Sequence, residues 1–162
     1  MRCGLLLVFP IRRLSCVLTV LGLLALAGSP VEAEDDPNWS RLLRAKALRC
    51  TLPTGATTDW DSGQPSTKLN RPDPKFVLHF ENIDRVSGKA RVVSNVGASD
   101  VNVWYTAGGV HFVEQTGAGN LMITSVFPFS TADGLIAVHS RHMATFTGPF
   151  PSQTHGTCKV LR

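Results

Sequence analysis

Five histidines, His79, His111, His139, His142 and His155, are the side chains of this 162-residue chain best able to move a proton or hold a metal near neutral pH. The run His139-Ser140-Arg141-His142 sets two imidazoles three positions apart. On a strand that spacing sends them to opposite faces, so they can share a metal only across a bulge. His79 and His111, with Glu81 and Glu114, would have to converge from separate strands, whereas zinc ligands usually show tight sequence spacing. No metal and no cofactor is expected.

Acyl chemistry needs a nucleophile with a base beside it and a group that orients the base. Ser125, Ser140 and Ser152, with His139, His142 or His155, are the available pieces, but the chain has no Gly-x-Ser-x-Gly turn. Asp84, Asp100 and Glu114 would act as an acid–base pair only if folding set two of them about 5–9 Å apart. Gly117-Ala118-Gly119-Asn120 resembles a phosphate loop, yet a β-rich run follows it rather than a helix. It reads as a hairpin turn with Asn120 in a left-handed or turn position. The chemistry-bearing residues near loops are Trp60, His111, Arg141, His142, Phe146 and His155, and these are the candidate ligand contacts. Phe146 and Phe150, in a Gly-Pro-rich stretch, are placed to line a mouth.

Arg2, Arg12 and Arg13, an apolar run from Leu14 to Ala27, and Val31-Glu32-Ala33 together read as a secretory signal spanning residues 1–33. The run is shorter than the roughly 20 residues a helix needs to cross a bilayer, so no transmembrane segment is expected. Removal of residues 1–33 leaves 13 basic against 11 acidic side chains, a net charge of +2. So small an excess marks no nucleic-acid surface. Cys3 and Cys16 depart with the signal, leaving Cys50 and Cys158, which in an oxidising compartment are expected to pair.

A set of elements must position these groups. Asp36 to Leu48 has helical periodicity, with Asp36 as cap and Pro37 in the first turn, and supplies a short amphipathic helix over the segment 34–47. Pro53 to Pro74 is crowded with Pro, Gly, Ser, Thr and Asp and reads as a long loop, with room for a small hairpin at Trp60. From Lys75 onward, glycine-bearing turns separate seven β-rich runs, the last at Thr157 to Leu161; with a strand at Cys50 the count is eight. Short connections force antiparallel neighbours, and a disulfide between first and last strands suits a meander that closes on itself. An all-β barrel over residues 48–162 is therefore expected, with a β-sandwich as the alternative. Alternation assigns Phe76, Leu78, Phe80, Val101, Val103, Tyr105, Val110, Phe112, Leu121, Ile123 and Phe127 to its inner face.

This layout is similar in outline to lipocalin-like barrels, but the Gly-x-Trp signature of their first strand is absent, and no functional residue carries over. The functional expectation is a noncatalytic exported protein, periplasmic or extracellular, whose partner is a small apolar molecule or an envelope protein. The alternatives are an envelope hydrolase using His142 or His155 as base, and a structural interaction module with a filled core.

Overall fold

Asp36 caps the first helix as its sequence suggests: its Oδ1 accepts from the Asn38 amide at 2.8 Å, and Pro37 opens α1 (Pro37–Leu43). The computed structural model describes residues 36–161, so the secretory signal read over residues 1–33 lies outside the described residues. The helix ends earlier than its periodicity implies. Ala47 and Leu48 belong instead to β1 (Ala47–Asp61), where Leu48 pairs with Phe80 on one side and Val160 on the other. Two ladders of backbone hydrogen bonds outweigh one more turn of a seven-residue helix, which has little stability of its own.

Eight further strands follow: β2 (Gln64–Leu69), β3 (Val77–Asp84), β4 (Lys89–Ser94), β5 (Gly97–Thr106), β6 (Gly109–Gln115), β7 (Leu121–Thr131), β8 (Gly134–Thr145) and β9 (Gly148–Leu161). From β3 to β9 each strand pairs antiparallel with the next, and β1 pairs with β3 on one edge and β9 on the other. The result is a closed eight-stranded antiparallel barrel with β2 as an extra strand. Closure leaves no free edge around the ring.

The long loop expected over Pro53 to Pro74 is largely strand. β1 runs on past the barrel, and its distal half pairs with β2 through a two-residue turn at Ser62 and Gly63, both with positive φ (50° and 80°). That is the hairpin geometry matching the native strand twist. Thr58 and Thr67 are opposed in the ladder and bond through their hydroxyls at 2.9 Å. The segment looks loop-like because this ribbon is largely exposed and therefore polar on both faces. β9 likewise begins earlier than expected, at Gly148, so Pro149 and Pro151 lie within a strand.

Cys50 and Cys158 are directly opposed in the β1–β9 ladder, with Cα atoms 3.9 Å apart, and are joined by a disulfide across 108 positions of sequence. Both are fully buried, facing inward with Leu48, Phe80, Val110, Phe112, Val126 and Leu135. Phe80 and Phe112 stack with ring centroids 4.0 Å apart, an arrangement worth about 0.5–1.5 kcal/mol beyond burial. Trp39, Leu42 and Ala45 join the same apolar cluster, and α1 packs against β6 and β7. The helix thus stoppers one end of the barrel.

One strand turns its other face inward. On β7, Thr124 and Val126 are buried, whereas Leu121 is exposed and Ile123 and Phe127 are only half-buried. Pairing of Thr124 with Phe112 and of Val126 with Val110 sets this phase. β7 carries apolar residues at both parities, so its own alternation does not choose a face, and its neighbour does.

Candidate functional site

The end opposite α1 is open. Strand direction places there the β4–β5 and β6–β7 turns, the β8–β9 turn, and the segment leading into β3. A cavity of about 530 Å³ enters the barrel from this end, within the range usual for small-molecule sites. Its floor and one side are apolar: Leu78 and Phe80 from β3, Val92 from β4, Val101 from β5 and Phe112 from β6, with Phe76 alongside.

The opposite wall is polar because of how three strands register. β8 turns Leu135, Ala137, His139 and Arg141 to one face. The first two are fully buried, and the last two line the cavity. His139 is opposite Thr124, which is opposite Phe112; one step nearer the mouth, Arg141 is opposite Met122, which is opposite Glu114.

His139 is 4% exposed, and its Nδ1 lies 2.8 Å from the Thr124 hydroxyl oxygen. Its ring sits against Phe76 at 5.6 Å between centroids. Burial, and secondarily the Arg141 guanidinium nearby, push its pKa down to about 4, so the imidazole is neutral at physiological pH. On its other side stands Thr154 of β9, whose buried hydroxyl has no hydrogen-bond partner among the described residues. The Arg141 Nη2 donates to the Met143 sulfur at 3.0 Å.

Of the six candidate ligand contacts, Arg141 lines this cavity. His142, the next residue on β8, is exposed on the outer face. His111 also faces outward, held between the Thr106 hydroxyl at 3.0 Å and the Ser125 hydroxyl at 2.9 Å. Exposed His155 meets Gln153 Oε1 at 3.1 Å, and the Gln153 amide donates to Ser140 at 3.0 Å. The series from Ser140 to His155 thus passes through an amide, with no carboxylate among the described residues to orient a base. Trp60 lies on the β1–β2 ribbon and Phe146 in the β8–β9 turn, both exposed. Among the described residues no cluster of three or more His, Cys, Asp or Glu is placed to hold a metal ion.

The sequence offers His139 as a metal ligand beside His142 or as a base; the structure makes it part of a cavity wall. The signal was present in the alternation of Leu135, Ala137, His139 and Arg141, but Ile136 and Val138 offer a competing apolar face. In the β6–β7 turn the left-handed residue is Gly119, with φ 83°, rather than Asn120. Asn120 Oδ1 instead accepts from the Ala144 amide at 3.2 Å, tying that turn to the end of β8. No family model, curated protein or solved structure matches the chain.

Proposed function

We propose that this is a noncatalytic exported binding protein that holds one small, mostly apolar molecule in the open end of its barrel. The observation that carries the reading is the cavity itself: about 530 Å³, apolar at its base, with a few polar groups nearer its mouth. A filled interior would instead have suited a structural module. Neutral His139 and its Thr124 partner can orient a ligand; the Thr124 hydroxyl meets the imidazole, but among the described residues no third group orients that ring as a base.

The outer face carries exposed Arg49, Glu81, Arg91, Asp100 and Lys159, while the inner face is apolar apart from the polar groups of the cavity. That is the inverse of a membrane-spanning barrel, whose apolar band faces lipid, and it supports a barrel standing in water. The Cys50–Cys158 disulfide and the signal pattern in residues 1–33 support a periplasmic or extracellular home. The β1–β2 ribbon with Trp60 and the turn with Phe146 leave the barrel at the cavity's end and offer contacts for a larger envelope partner.

Native mass spectrometry of the protein purified from its own host tests the reading. The expected result is a bound small molecule, one per chain, whose occupancy falls in Met122→Trp, where the larger side chain intrudes on the cavity. Recovery of the wild-type protein at its bare mass under conditions that keep it folded would count against the proposal.

A further inference from the structure

Resting on the reading of the cavity as a ligand site, we infer that its polar wall selects an amphiphile whose polar end is a carboxylate, seated on Arg141 with the hydrocarbon running down to Phe80 and Phe112. Among the described residues Arg141 is the one cation lining the cavity and Glu114 the one anion. They are not equivalent. Arg141 shares its strand and face with His139, itself joined to Thr124, so a cation and two neutral hydrogen-bonding groups adjoin on this side, whereas Ser94, Asn95 and Ser99 at the β4–β5 side of the mouth carry no charge. Glu114 stands two strands away, beyond Met122.

The guanidinium presents five N–H donors in a planar fork that matches a carboxylate, and among the described residues its side-chain partner is a thioether sulfur, a weak acceptor. Its bonding capacity is therefore open to a ligand. His139 is more than nine-tenths buried in the same wall, and among the described residues only one of its ring nitrogens is hydrogen-bonded. A carboxylate drawn partly out of water requires a paired cation and donors, which this wall supplies. A cationic head would instead face Arg141 at close range, with Glu114 alone in its favour.

Calorimetric titration with decanoate, decanol and decyltrimethylammonium, each below its micelle concentration at neutral pH, reads the selection directly. Decanoate is expected to bind one per chain and at least about tenfold more tightly than decanol, as for a charge-assisted hydrogen bond. Arg141→Gln should weaken decanoate about tenfold or more and so erase that preference, and Arg141→Lys should keep part of it. Glu114→Gln should tighten decanoate and weaken the ammonium probe. Saturable binding of all three with equal affinity, or a preference for the cation, overturns the carboxylate assignment and leaves the cavity reading standing. Saturable binding of none of them overturns both.

Discussion

Acidification should destabilise this protein through His139, by an amount that follows from where the ring sits. Its folded-state pKa is lowered from 6.5 to about 4, chiefly by burial. As pH falls, the unfolded chain takes up the proton first. The His139 contribution to stability is thus fully present above pH 6.5 and is lost as pH drops from there toward 4. With those two values the loss is about 2 kcal/mol at pH 5 and about 3 kcal/mol at pH 4. Other groups titrate over the same window, so the measurement is a difference. Urea unfolding of wild type and His139→Gln should show wild type losing about 2 kcal/mol more between pH 7 and 5. Glutamine can keep a hydrogen bond to Thr124 but does not titrate. Proton NMR of the His139 ring supplies the second readout. A ring titrating near pH 6.5, or equal losses in both proteins, would refute the reasoning.

Replacing both Cys50 and Cys158 with alanine should cost about 5 kcal/mol, the chain-entropy value for a cross-link spanning 108 positions, read as a fall in the urea midpoint under oxidising conditions. Gly156→Ala should lower the melting temperature by the equivalent of about 1–3 kcal/mol, because a β-carbon there would overlap the Thr51 carbonyl oxygen and press on the Leu52 Cα; Gly108→Ala, with open space around it, should stay within about 0.5 kcal/mol of wild type. Arg49 and Lys159 are exposed and directly opposed across the β1–β9 ladder, so Lys159→Glu should raise stability by about 0.2–1 kcal/mol in low salt, and added salt should shrink the gain.

Much of the architecture was legible before folding. Glycine-bearing turns between β-rich runs already imply antiparallel neighbours, because short connections admit no other pairing; two cysteines at the ends of the series suit closure into a ring, with a β-sandwich left as the alternative. Asp36 and Pro37 announce the start of α1 in the same local way, through a side-chain cap and a preset φ. Where apolar residues keep to one parity, as at Leu78 and Phe80 or Val101 and Val103, the buried face could be named as well.

The tertiary structure decided the rest, for two physical reasons. Strands with apolar residues at both parities, β7 and β8, take their facing from the neighbour they pair with, so the inward turn of Met122, Thr124, His139 and Arg141 rests on register with Phe112 and Glu114. A polar stretch can be strand wherever water covers both of its faces, which is how the β1–β2 ribbon arises from residues that look like loop. Whether the ring encloses packing or space is also a sum over eight strands rather than a property of any one, so a cavity of about 530 Å³ could not be written locally in the chain.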